Sequence, residues 1–224
     1  MRLGIKFSRT GETRFVSHLD MQRLFSRALR RTGLPVKFSQ GFNPHILTSF
    51  ASALSVGTES HGDYMEFYTV SDISPEEVKK KLNDVMPDGI EILKAGKIDE
   101  NEEKLMAACR AAKVTIIAEN FAKDAIDSGI KEILSLNECI CEKKSKGKIR
   151  QFDIRPLIYN ADFSKENTVL TVAHSGSGSL PPAVLIEEAK KRAGVLCETR
   201  VIREDLLIDK SGELVSMGEL FCEV

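Results

Sequence analysis

A chain of 224 residues with 42% hydrophobic content has enough apolar material for one large or two small domains and is too long for a peptide module. No apolar run approaches the roughly 20 residues of a membrane span, and MRLGIKFSRT alternates apolar and polar residues where a signal peptide would be continuously apolar, so a soluble, cytoplasmic protein with no membrane association is expected. The formal net charge of −1 excludes a uniformly basic nucleic-acid binder, yet residues 1–50 hold nine Lys and Arg against two acids, with 23 bases and 31 acids in the rest.

MRLGIKFS places Leu3, Ile5 and Phe7 on one face at period two, which predicts a half-buried strand. Ser17 and Asp20 then stand at N-cap and N3 spacing, and Gly33 supplies a left-handed stop, so a helix is expected between them. Met21, Leu24, Phe25, Ala28 and Leu29 share one side of that helix, while Asp20, Arg23, Arg27 and Arg30 share the other. Two extended segments, LPVKFS and HGDYMEFYTV, flank a long loop containing FSQGFNPH. Ser74, Pro75 and Glu77 open a second helix that ends before Pro87, and GIEILKAGKI closes as a strand.

This order of strand, helix, strand, strand, helix, strand predicts a ferredoxin-like (βαββαβ) α+β domain over residues 1–98. The acidic run DENEEK, residues 99–104, is the expected linker. From residue 105 to 224 the pattern returns: KVTIIAE as strand, FAKDAIDSGIKEILSL as helix, ECICEKK as strand, then a less regular stretch with DIRPLI. TVLTVAH follows as strand, 181–193 as helix and TRVIREDLLI as a final strand. Two tandem ferredoxin-like domains are therefore expected.

Three places offer chemistry. Arg23, Arg27 and Arg30 recur at i, i+4 and i+7, with Arg31 at the edge and Arg14 arriving from the preceding turn. Guanidinium forks match phosphate oxygens, so such a row can follow a sugar-phosphate backbone, although a solvated face part-neutralised by Asp20 has the same pattern. The FSQGFNPH loop adds Gln40, Asn43 and His45 as polar contacts and Phe42 as a ring that either stacks on a base or packs in the core. HSGSGSLPP, with Gly176, Ser177, Gly178 and Ser179 ahead of a helix, has the makings of an anion-binding loop but lacks the Lys and spacing of a Walker loop.

The catalytic inventory is short. His18 and His45 are the candidates for metal-free acid/base cleavage of RNA. No metal or cofactor signature is present, and five dispersed cysteines indicate neither a disulfide framework nor a zinc quartet.

RFVSHLDMQRLFSRALRRTGLPVKFSQGFNPH, followed by SFASALSVGTES, resembles the opening of the prokaryotic radical SAM-linked protein family, a domain of unknown function found alone or C-terminal to a B12-binding-type radical SAM protein. DIRPLI and GSGSLPP resemble that family's second half. Where family members commonly continue the loop as PHP and a basic residue, His45 is followed here by Ile46 and Leu47. The resemblance implies a radical SAM protein as partner. This chain has no C-x-x-x-C-x-x-C to hold an iron–sulfur cluster, so the radical chemistry would belong to that partner. The expected function is an accessory that binds RNA, tRNA or ribosomal RNA foremost, for a modifying enzyme. The tandem arrangement is also similar to the CRISPR repeat-processing endoribonucleases, which makes a metal-independent endoribonuclease one alternative. An adaptor that binds only protein is the other.

Overall fold

The structure, a computed structural model, describes residues 1–119, 122–145, 148–176 and 178–222, with backbone alone for 143–145 and 148–150. It is a mixed α/β protein with mostly antiparallel sheet and, among the described residues, five α-helices. By compactness the chain divides into one unit of residues 1–109 with 205–224 and another of 110–204. The last twenty residues, read from the sequence as the end of the second domain, group with the first unit.

The first unit begins β1 (Arg2–Arg9), α1 (His18–Arg31), β2 (Thr48–Phe50), β3 (Glu59–Tyr68), α2 (Pro75–Asn83), β4 (Ile90–Lys97) and α3 (Leu105–Ala108). The second contains β5 (Cys109–Ala118), α4 (Lys123–Ser135), β6 (Ile140–Ser145), β7 (Lys148–Asp153), β8 (Ile158–Asp162), β9 (Thr168–Ala173) and α5 (Pro182–Ala193). Of β10 (Thr199–Lys210), residues 199–204 belong to the second unit and 205–210 to the first, which β11 (Glu213–Ser216) and a 3-10 turn, Met217–Leu220, complete.

In the first unit β1 is flanked by antiparallel β3 and β4, and β2 pairs with β3. Leu3, Ile5 and Phe7 are fully buried against Met21, Phe25, Ala28 and Leu29 of α1 and Val78 and Leu82 of α2, so one sheet face and two helix stripes share one core. Phe25 lies 4.7 Å from Phe7, and Phe50 meets both rings edge-on. Ser17 caps α1 by accepting the Asp20 N–H at 3.2 Å, Ser74 caps α2 through Glu77 at 3.1 Å, and Gly33, at φ +65°, ends the first helix as its position suggested. LPVKFS differs from expectation. Its Val36 and Phe38 make isolated bridges to Thr69 and Ile46, and the strand itself is Thr48–Phe50, beyond the loop.

The opposite face of this sheet is covered by the chain's own C-terminal segment. Gly4 and Gly96 pair across β1 and β4, and Phe221 lies so close over them that a Cβ on Gly4 would stand 2.3 Å from its ring. Beside it the Tyr64 hydroxyl donates to Asp205, Ser216 donates to the same carboxylate at 2.8 Å, and Lys6 pairs with it at 3.0 Å. Burial, with Asp205 next to it, raises the Tyr64 phenol far above its ordinary value, so it stays protonated. Arg2, buried, grips Glu66 and also donates to the carbonyls of Asp99, Glu102 and Glu103. The acidic run is thereby tied to the sheet by its backbone.

In the second unit β5 pairs antiparallel with β9, and β9 with β8. The strand order there is β10-β5-β9-β8. Strand β6 and its partner β7 form a separate hairpin after α4. The α4 and α5 helices approach through Gly129, where a Cβ would stand 2.2 Å from the Ala189 carbonyl oxygen. Asp127 of α4, buried, accepts from Thr168 of β9 and from Lys123.

Candidate nucleic-acid interface

The arginine face is built by a buried arginine. The Arg9 guanidinium donates to the carbonyls of Thr13, Arg14 and Val16, which folds Gly11–Phe15 into a 3-10 turn directly ahead of the Ser17 cap. That turn presents Arg14, paired with Glu59 at 3.0 Å and stacked 4.7 Å over the exposed Phe15 ring. On α1, Arg23 pairs with Asp20 at 2.9 Å, both largely exposed. The Ser17 hydroxyl first and Arg23 second hold the Asp20 carboxyl below its ordinary value, so it is ionised at neutral pH. Arg27 and Arg30 are exposed, and Arg31 donates to the Val85 carbonyl.

The loop is a closed structure with an open tip. Leu47 N–H donates to Lys37, Ser39 N–H donates to His45, and Phe38 bridges Ile46, so the chain returns on itself. Residues 40–45 are all exposed, and Gly41 takes φ +120°, a conformation that disfavours any side chain. Phe42 at the tip is fully exposed, which resolves its two readings against the core. His45 bonds Ser39 through Nδ1 at 2.9 Å. His18 bonds Gln22 at 3.1 Å and sets its ring edge-on to Phe50 at 5.5 Å. These described bonds join neither histidine to Arg14.

In the second unit, Ser177 lies outside the described residues. Around it Ser175 Oγ donates to the Gly178 carbonyl at 3.0 Å and accepts the Gly178 N–H at 3.2 Å, while Ser179 bonds His174. The helix that follows starts Pro181-Pro182, two residues without an N–H to offer an anion. A groove of about 770 Å³ beside α5 is lined by Cys141, Gln151, Ala183, Val184 and Glu187. Burial first, then neighbouring Cys139 and Glu188, pushes the Cys141 thiol up to about 11. Among the described residues no three His, Cys, Asp or Glu side chains are placed to hold a metal, and no helix is long and apolar enough to cross a membrane.

Residues 2–182 match the model of a family described as an uncharacterized protein conserved in bacteria, DUF2344. The chain belongs to this family. No curated protein matches it. The match takes in α1, the loop and strands β1 to β9, and it stops short of β10, β11 and Phe221.

The sequence reading missed Arg2 and Arg9 as structural groups. Their one signal was position. Each is a charged residue on a strand whose alternate residues are core, so both had to find partners on a covered face.

Proposed function

We propose that this protein binds single-stranded RNA through α1 and the 38–46 loop, and presents it to a radical SAM modifying enzyme. The observation that carries the reading is Phe42, a ring held wholly in solvent at the tip of a closed loop that also displays Gln40, Asn43 and His45. Exposing a Phe side chain forgoes about 1.5–3 kcal/mol of burial, and stacking on a base recovers energy of that size. Exposed Arg27 and Arg30 add phosphate contacts. The strand order β4-β1-β3 with β2 on β3, and β10-β5-β9-β8 in the other unit, supports reading each as a ferredoxin-like domain, the second carrying an inserted β6–β7 hairpin. The radical SAM partner rests on the sequence resemblance alone, with tRNA or ribosomal RNA as the substrate it would modify.

The test is retention of total small RNA by the wild-type protein, Phe42→Ala and Arg27→Ala/Arg30→Ala, with bound and cleaved species read together. Retention of intact RNA that each variant weakens supports the reading. Cleavage that His18→Ala/His45→Ala abolishes would replace it with an endoribonuclease. Equal retention by all forms would remove this surface, and absence of RNA with co-purification of a protein would leave an adaptor.

A further inference from the structure

We infer that Phe15 is a second base-stacking platform, and that a single strand of RNA spans α1 from the Phe42 loop to the Gly11–Phe15 turn; the inference rests on the RNA reading above. The two rings lie at opposite ends of one helix. Strand β1 ends at Arg9, whose side chain ties down the turn that carries Phe15, and α1 starts directly after that turn. The 38–46 loop belongs to the other end. Val36, just ahead of it, bridges Thr69, and the Thr69 N–H donates to the Met1 carbonyl at the start of β1. Arg31, the last residue of α1, precedes that bridge by a short connection, so the helix runs from one end of the sheet to the other. Its 14 residues, at about 1.5 Å each, make it about 21 Å long. Arg27 and Arg30 are exposed along it.

Phe15 is exposed and yet held in place. It is 53% exposed, and the Arg14 guanidinium lies 4.7 Å from its ring centroid. Glu59 fixes that guanidinium at 3.0 Å and accepts the Gly11 N–H at 3.2 Å, while the Gly57 N–H donates to the Arg14 carbonyl at 2.8 Å. A single exposed Phe is ordinary, but a ring braced by a guanidinium that is itself fixed has already lost the freedom that stacking would otherwise cost. Leu19, 63% exposed in the first turn of α1, adds apolar surface at the same end. Two acids here are matched, Glu59 by Arg14 and Asp20 by Arg23. This end therefore suits an uncharged base, and the phosphates between the two rings fall to Arg27 and Arg30. At about 3.4 Å per nucleotide of a stacked strand, about 21 Å corresponds to about six nucleotides. That footprint lies within the roughly 4–16 nucleotides of small single-strand binding folds.

The experiment measures anisotropy of labelled tri- and nona-adenylate with full-length wild type, Phe15→Ala, Phe15→Leu, Phe15→Tyr and Phe42→Ala. A trimer fills one platform at a time, so Phe15→Ala should cost it about twofold at most, whereas the nonamer fills both and should weaken about tenfold, the low end of what one stacked base contributes. Phe15→Tyr should bind the nonamer as wild type does, and Phe15→Leu as Phe15→Ala does. A nonamer weakened by Phe42→Ala but not by Phe15→Ala overturns the second platform while the α1 and loop reading stands. Binding by no form overturns both. Wild-type affinity in Phe15→Leu would show apolar cover in place of stacking, and equal losses for trimer and nonamer would show that no strand spans the helix; either overturns the inference. Phe15→Ala that keeps RNA but loses a co-purifying protein would make the ring a protein contact and overturn it as well. Should Phe15→Ala not fold, 2-aminopurine placed singly along the nonamer decides with wild type. Quenching at two positions about six nucleotides apart supports the inference, and quenching at one position alone sinks it.

Discussion

Ser39 Oγ stands 2.9 Å from His45 Nδ1 and also accepts the His45 backbone N–H at 3.1 Å, so one hydroxyl closes both the side chain and the main chain of the loop. Ser39→Ala removes two bonds worth about 1 kcal/mol each at most, in a region that opens without the core. Amide exchange at His45 is expected to quicken about tenfold with the melting temperature unmoved. Exchange as slow as in wild type would mean that the backbone bridges alone hold the loop.

Asp20 reports on the start of α1. Its folded pKa lies below the ordinary carboxylate value because the ionised form accepts from Ser17 and Arg23. A depressed folded value contributes stability that is present above the unfolded value and lost as pH falls through the folded one. The Asp20 carboxyl resonance should therefore titrate with a midpoint below 3.8, and Ser17→Ala should move that midpoint upward. A midpoint at 3.8 in both forms would show that the cap does not operate in solution.

Arg2 and Glu66 are a pair buried on both sides, at 1% exposure each, and Glu66 Oε1 has no partner among the described residues. Arg2→Ala leaves that carboxylate buried and unpaired, so a loss of about 3–5 kcal/mol in urea unfolding is expected. Arg2→Met/Glu66→Leu removes both charges and should recover most of it. A double variant as unstable as the single one would show that the carbonyls of the acidic run, rather than the carboxylate, are what Arg2 serves.

Gly129→Ala sets two effects against each other. Alanine favours the helix by about 1 kcal/mol over glycine. Its Cβ, however, would stand 2.2 Å from a backbone oxygen of the neighbouring helix, which cannot yield as a flexible side chain does. Overpacking of that kind costs about 3 kcal/mol, so a net loss near 2 kcal/mol should appear in thermal or urea unfolding. Unchanged stability would mean that the two helices part to admit the methyl group.

The readable parts of this sequence were those governed by local rules. Ser17, Ser74 and Gly33 mark helix ends because capping acts over a few residues, and Leu3, Ile5 and Phe7 mark a strand because its period is two. Strand β8 was not readable, since of Ile158–Asp162 only Ile158 is buried, and β2 has three residues, too few for a pattern. Arg23, Arg27 and Arg30 stand on one helix as their spacing predicts, but counting charge over-read how many cations that surface offers. Arg2 is spent on the Glu66 carboxylate and three carbonyls inside the fold, Arg9 on carbonyls, and Arg14 and Arg23 on carboxylates. Nothing local to Gly4 or Gly96 announces Phe221, because that contact joins positions more than a hundred residues apart.

Strand 205–210 and the segment ending in Phe221 have one further consequence, for the order in which the protein is made. The first unit holds residues 1–109, yet it lacks strand 205–210 and the cover of its sheet until residues 205–224 have been synthesised. The second unit, contiguous over 110–204, has all its parts earlier. Domains fold as units during synthesis, usually from the N-terminus onward. Here the unit begun first is completed after the second, and its Gly4–Gly96 pair and Tyr64 stay bare on the growing chain until Phe221 has been made.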